Sequence, residues 1–282
     1  MINEFHSKIE NLKLKWENDP FPHVIIDNFF PEEIFLKILK EFKKFEKQKD
    51  IKKNFRTYLE FNKQAYGEKD LTNNLKLPVK LLGGKSFIKL LQRNVANIKI
   101  SSLSEWENYG GYFPLHQMGD EGILGCHVDH SHYKKDYLHI ANSIFFCSPV
   151  WKKSWGGETL LFNKLGLKKI KNIEPLPNRL LIFIHSATSF HGVNKINCPK
   201  NVKRLSFYMD YYIENLKLKE LEKNLISKNI FNTKYFNHTT TFVPFFPLGL
   251  SSFKIKYLFH KSNYFYLKKF LLFLYKFFFR KT

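Results

Sequence analysis

Three side chains carry the first chemical signal in this sequence. His127 and Asp129 stand two apart in Gly125-Cys-His-Val-Asp-His130. Residues two apart on a strand point to the same face, so this spacing sets an imidazole and a carboxylate side by side. A second imidazole, His191, follows much later in Phe190-His-Gly-Val193. Two histidines and one carboxylate make a facial triad, the donor set that holds non-haem Fe(II) and leaves positions open for other ligands. Beyond it, Arg204 and Ser206 in Lys203-Arg-Leu-Ser-Phe-Tyr208 again share one strand face. A guanidinium fork beside a hydroxyl is suited to hold a carboxylate.

Other residues nearby read more plainly. His130, His132, His139 and His185 are expected to be packed or hydrogen-bonded, the usual state of a single histidine on a strand. Their number makes zinc worth weighing, but structural zinc takes a closed tetrahedral set, and no Cys-x-x-Cys or His-x-x-x-His pair is present. Gly156-Gly157 reads as a tight strand turn. Glu158 and Thr159 after it could line the mouth of the site.

The elements that must position these groups follow from the patterning. From about 109 the chain breaks into short runs, 111–118, 123–130, 138–147, 158–162, 179–185, 190–195 and 203–213, each expected to be a strand. Gly119-Asp120, Gly156-Gly157, Pro175–Asn178 and Asn197–Pro199 punctuate them. So many short strands with no helix between them predict a jelly roll, two sheets packed face to face. Before this core, 1–20 reads as a short surface helix and Phe21-Pro-His-Val-Ile-Ile as a strand. Pro31, Glu32 and Glu33 open a helix over 31–47 whose apolar residues Ile34, Phe35, Ile38, Leu39, Phe42 and Phe45 keep helical spacing. The stretch 48–80 has little periodicity and reads as a loop or lid; 86–98 returns to a helical pattern.

At 282 residues the chain is long enough for one large domain with a substantial core. Its balance of 46 Lys and Arg against 25 Asp and Glu, net +21, favours anionic partners without specifying a fold. Three cysteines form no disulfide framework, and a reducing, cytoplasmic setting is the simpler expectation. The first residues lack the apolar core of a signal peptide, and no uncharged apolar run is long enough for a transmembrane helix.

After 213 a charged helix is expected over about 214–228, then a proline-broken aromatic segment. The tail 253–282 has eight Lys and Arg and no acid. Wound as a helix, it gathers Lys268, Lys269, Lys276 and Arg280 opposite Leu267, Phe270, Leu271, Leu274, Phe277 and Phe278, the pattern of a basic amphipathic helix lying on a membrane. The other reading is a helix that caps the domain's own core.

Taken together, the motifs resemble one family, the Fe(II)- and 2-oxoglutarate-dependent oxygenases, in their prolyl 4-hydroxylase-like branch. His127-Val-Asp129, Gly156-Gly-Glu-Thr159, Pro177-Asn-Arg-Leu-Leu-Ile-Phe183, His191-Gly-Val193 and Arg204-Leu-Ser206 carry the resemblance across 109–213, and Phe21 to Glu33 is similar to the opening of many members. It implies a double-stranded β-helix, a jelly-roll variant that is mainly β with flanking helices. The oxygenase domain would be 1–213, with its core at 109–213 and helical support at 1–108, and 214–282 a helical basic-aromatic extension. It implies further that His127, Asp129 and His191 bind iron, that 2-oxoglutarate chelates it, and that O2 takes the remaining position. Arg204, helped by Ser206, would pair with the distal carboxylate of the cosubstrate. Gln117, ten residues before His127, is a lesser candidate for the same pocket, and Asn142 a weaker one. Met118 stands where prolyl hydroxylases often have Tyr, a departure from the pattern of that branch. The implied reaction hydroxylates an unactivated C–H, with succinate and CO2 as co-products and ascorbate as reductant.

The substrate implied is a small molecule, a peptidyl residue, or a sugar or lipid precursor, with peripheral membrane contact through 253–282. Two alternatives are a nucleic-acid-directed oxygenase on the same core and a non-catalytic metal-binding jelly roll. Against the first, the positive charge is spread thinly outside the tail, with no aromatic-basic recognition module. Against the second, a degenerate member would be expected to lose part of the triad or Arg204.

Overall fold

The computed structural model describes residues 2–45, 53–102, 113–133, 136–230 and 234–279. The chain opens with helix α1 (Ile2–Asn11), strand β1 (His23–Ile26) and helix α2 (Glu32–Phe45). A hairpin of β2 (Lys53–Arg56) and β3 (Glu60–Tyr66) precedes α3 (Leu77–Leu82), α4 (Lys85–Leu91) and the short β4 (Ser101–Ser102). The core then runs through β5 (Leu115–Val128), β6 (His132–Tyr133), β7 (Tyr137–Phe146), β8 (Thr159–Phe162) and β9 (Lys169–Ile173). It continues with β10 (Arg179–Ile184), β11 (His191–Val193) and β12 (Arg204–Glu214). The C-terminal part supplies α5 (Leu218–Ser227), β13 (Thr241–Phe242) and α6 (Asn263–Phe279).

The strands pair antiparallel in the order β1-β10-β7-β12-β5-β11-β8-β9. Strand β5 makes this one sheet curl into two facing layers. Its first residues pair with β12 and β3, and its last with β11 and β13. The result is a curled antiparallel sheet with flanking helices, the double-stranded β-helix form of the jelly roll.

Strand β12 shows how the alternation builds two environments at once. Arg204, Ser206, Tyr208 and Asp210 face the cavity between the layers. Leu205, Phe207, Met209 and Tyr211 face outward into a large apolar core shared with α1 to α4. Phe5, Ile9, Ile34, Ile38, Val79 and Phe87 meet them there, all buried; each such side chain contributes about 1.5–3 kcal/mol by leaving water. On the opposite outer face, Cys126, Leu160, Phe162 and Phe190 pack against Phe236, Val243 and Phe273 of the C-terminal part. Each layer of the sheet therefore has its own apolar cover.

The structure corrects several expectations. Gly119-Asp120 is not a turn: β5 passes through it as a continuous strand, with Glu121 at φ 62° absorbing the bend. The 48–80 segment is not a featureless loop, because 53–66 is the β2–β3 hairpin and 77–82 is α3. The strand β9 went unseen, since its exposed Lys-rich face hides the pattern. α1 is less of a surface element than expected, burying Phe5 and Ile9 completely. Residues 46–52 and 109–112 of the expected lid and core lie outside the described residues.

Candidate metal centre

His127 lies near the end of β5 and is paired directly across the ladder with His191 on β11. Asp129 follows where β5 has ended. The His127 and His191 rings are 4.4 Å apart between centroids. Asp129 reaches both, with Oδ1 3.3 Å from His127 Nε2 and Oδ2 3.4 Å from His191 Nε2. One donor atom from each of the three lies within 4.8 Å of the others, so a single ion could take all three. Donors on one ion at bonds of about 2.1 Å stand about 3 Å apart, close to these separations.

The tautomers fit the same use. His127 Nδ1 is 2.8 Å from the Gly125 carbonyl and His191 Nδ1 is 3.0 Å from the Ser189 carbonyl. A carbonyl only accepts, so each Nδ1 carries the proton and each Nε2 presents its lone pair to the centre. Burial pushes His191 down to about 4, against the opposing charge of Asp129, which keeps its imidazole neutral. For Asp129, burial works against ionisation but His191 and His127 outweigh it, and its carboxyl sits well below the usual range. Two Nε2 atoms turned toward a carboxylate are the donor arrangement a metal requires.

Asn142 on β7 orients this carboxylate. Its Nδ2 donates to Asp210 Oδ1 at 2.7 Å and, more weakly, to Asp129 Oδ2 at 3.4 Å. Burial raises Asp210 to about 7. On the other side of the triad, Phe242 of β13 stacks on the His127 ring at 5.0 Å.

Arg204 lines the same cavity, which has a volume of about 320 Å³. The residue is 3 % exposed, and burial lowers its pKa to about 10. It donates from Nε to the Gly157 carbonyl at 2.8 Å and from the terminal nitrogens to Thr159 Oγ1 at 3.1 Å and Ser206 Oγ at 3.4 Å, and it lies over the Phe146 ring. Among the described residues no carboxylate forms an ion pair with it. Glu158 acts on it only through space; a buried charge without a counter-charge in direct contact is costly, so this cation is set to receive an anion. Gly157, at φ 73°, lets the turn present that carbonyl, and a Cβ there would press on Trp151 and Arg204. Gly156-Gly157 is thus a structural turn, as expected, while Thr159 is a partner of Arg204 within the cavity. Glu158 accepts from Asn194 Nδ2 instead.

Gln117 does not join them. It donates to Gln64 at 3.2 Å, while its neighbours His116 and Met118 line the cavity. The cause is a bulge: His191 pairs with His127 but Val193 with Leu124, three steps on β5 against two on β11. That extra residue reverses the phase of the strand, so an even spacing from His127 no longer means a shared face. Of the histidines expected to be packed, His139 and His185 are fully buried and stacked at 4.1 Å, and His132 lies beside Ser131 Oγ. His130 both meets the Tyr212 hydroxyl at 2.8 Å and lines the cavity. Sequence reasoning missed Lys63, buried in the wall with Glu60 at 3.2 Å and Phe55 beneath it, and Thr240 and Phe242 at the opposite side.

Among the described residues, fold and centre together define a jelly-roll protein organised around a two-histidine, one-carboxylate donor set that could hold a metal ion. A family model described as the 2OG-Fe(II) oxygenase superfamily matches residues 113–211 of the chain. No curated protein matches the chain. Among solved structures, it is similar to a prolyl hydroxylase from Trichoplax adhaerens in complex with a hypoxia inducible factor oxygen degradation domain peptide fragment. That match has 14% identity, covers 74% of this chain and 88% of the other, and has a TM-score of 0.48. A Pseudomonas putida prolyl-4-hydroxylase shows 13% identity, coverage of 74% and 97%, and a TM-score of 0.47. HygX from Streptomyces hygroscopicus, with nickel and 2-oxoglutarate bound, shows 11% identity, coverage of 79% and 94%, and a TM-score of 0.47.

Proposed function

We propose that this protein is an Fe(II)- and 2-oxoglutarate-dependent hydroxylase acting on an unactivated C–H of a small molecule, a peptidyl residue, or a sugar or lipid precursor. The observation that carries the reading is Arg204, a buried guanidinium without an ion pair, in the same cavity as a two-histidine, one-aspartate donor set. His127, Asp129 and His191 would hold iron, and iron with 2-oxoglutarate and O2 supplies the oxidation, releasing succinate and CO2. Arg204, with Thr159 and Ser206, receives the far carboxylate of the cosubstrate and fixes its orientation. Asn142 holds the Asp129 carboxylate, and the apolar walls at Phe183, Ile144 and Val193 exclude water from the reacting end. We treat 1–213 as the catalytic domain and 214–282 as an extension built onto it. A cytoplasmic setting, where thiols stay reduced, fits the three buried free cysteines.

The test is succinate release from 2-oxoglutarate with Fe(II), and with ascorbate to keep iron reduced, in the absence of any added substrate. Slow uncoupled succinate formation is expected, abolished in Asp129→Ala. In Arg204→Ala the 2-oxoglutarate requirement should rise about ten- to a hundredfold, the loss of about 1.5–3 kcal/mol of charge-assisted hydrogen bonding, while Fe(II) binding is retained. Tight metal binding with no succinate under any condition would make the protein a non-catalytic metal-binding jelly roll.

A further inference from the structure

Helix α6 is apolar on both sides, which a helix serving only to close a core would not be. Its inner side is Phe270, Phe273, Leu274 and Phe277, packed on the outer face of the sheet. Its outer side carries Tyr264, Leu271, Leu272, Tyr275, Phe278 and Phe279, each more than half exposed. The sequence expectation of one basic and one apolar side is therefore corrected: Leu271 and Phe278 turn away from Phe270 and Phe277, and apolar residues occupy both faces. The segment before the helix adds exposed Ile255, Leu258 and Phe259. An exposed apolar surface of this extent marks an interaction site.

The surface is preformed. Lys234 Nζ donates to the Phe277 carbonyl near the end of α6, and Lys276 Nζ to that of Asn237. At the other end the Tyr58 hydroxyl donates to Asn263 Oδ1 at 2.7 Å, and Tyr58 stacks on Tyr257 at 4.8 Å. At 17 residues the helix is about 25 Å long, and it is held flat along its length. Binding along it would require little ordering.

Charge identifies the occupant. Lys254, Lys256, Lys261 and Lys268 lie exposed around the apolar residues, and Lys269 lies over the Phe265 ring. No acidic residue follows Glu222 anywhere in the chain. We propose that this face docks on an anionic lipid surface, with the aromatic and leucine side chains entering the headgroup boundary and the lysines meeting lipid phosphates. A second copy is disfavoured, because a two-fold contact would bring the same lysines together, and Glu121, which lines a pocket with Lys254 and Lys256, is already paired with Lys195. Crossing the bilayer is not in question: among the described residues no helix is long and apolar enough. The proposal stands apart from the oxygenase reading, since it concerns the outer face of α6 and not the metal centre. If both hold, docking sets the cavity wall beside the lipid, because Phe242 lies 5.8 Å from Tyr266 of α6.

The experiment uses the full chain, because cutting the tail would also uncover the core that Phe273 closes. Vesicles of phosphatidylcholine alone are compared with an equal mixture of phosphatidylcholine and phosphatidylglycerol in co-sedimentation. Binding to the mixed vesicles, falling as salt is raised and weak on phosphatidylcholine alone, is the expected result. Leu272→Glu with Phe279→Glu should reduce it at least about tenfold, and Lys261→Glu with Lys268→Glu should reduce both binding and its salt dependence. Leu216→Glu, an exposed apolar residue elsewhere, should leave it unchanged, and thermal unfolding confirms that each variant is folded. Absence of binding to the mixed vesicles, or binding equal in the Leu272→Glu, Phe279→Glu variant, overturns the proposal. A dimer in solution that the same double variant dissociates also overturns it, and assigns the face to a second copy.

Discussion

The two helical covers of the sheet differ in what lies on their far sides. The N-terminal cover, α1 to α4, turns most of its apolar residues inward, Ile2 and Leu36 excepted: Phe87 in α4 meets Phe29 and Tyr211 in a fully enclosed aromatic group. The C-terminal cover is apolar toward the sheet and apolar toward solvent. A second difference concerns the metal centre. Among the described residues the N-terminal helices stop at the back of β12, whereas the C-terminal part sends β13 alongside β5 and sets Phe242 against His127. The first cover serves stability; the second reaches both the surface and the chemistry.

Substitutions can break or sharpen this contrast. Phe87→Ala should cost the most, about 3–5 kcal/mol in urea unfolding, with Fe(II) affinity unchanged below the transition. Phe273→Ala should cost about 2–4 kcal/mol, since α6 can partly settle, and should also weaken Fe(II) binding by loosening the segment that carries Phe242. Equal effects of the two on metal affinity would erase the distinction. A smaller effect is expected from pH. Burial holds His238 of the C-terminal part at about 4, with His132, His130 and Asp129 around it. The native imidazole resists a proton that the unfolded chain accepts near 6.5, so stability is full above that value and is lost as pH falls toward 4. In metal-free protein the urea midpoint should therefore decline from pH 7 to 5, less steeply in His238→Gln. The smallest effect belongs to Phe279→Ala, within about 0.5 kcal/mol, because its ring already faces solvent.

The parts of the molecule readable in the sequence are those whose local pattern matches their surroundings. Helix α2 keeps its apolar spacing because one side meets the core. Strand β12 keeps its alternation because both faces are buried in different company, and this makes Arg204 and Ser206 legible as a pair. The β2–β3 hairpin was hidden because it inverts the rule. Lys63 is buried in a cavity wall, Phe61 is 42% exposed, and Asn62 at φ 46° shifts the register between them. Gln117 was misplaced for a related reason, since a bulge between Leu124 and His127 cannot be seen in residue spacing. The two-sided α6 was read as amphipathic because periodicity cannot separate a face that meets protein from one that meets solvent.

The position of β13 has a practical consequence for anyone shortening this gene. A stop codon placed ahead of Thr241 would strip a neighbour from the strand that bears His127, the first donor of the candidate metal centre, and bare its ring. Loss of turnover in such a fragment would report damage to the catalytic pocket itself, and would say nothing about whether the missing piece had a separate duty.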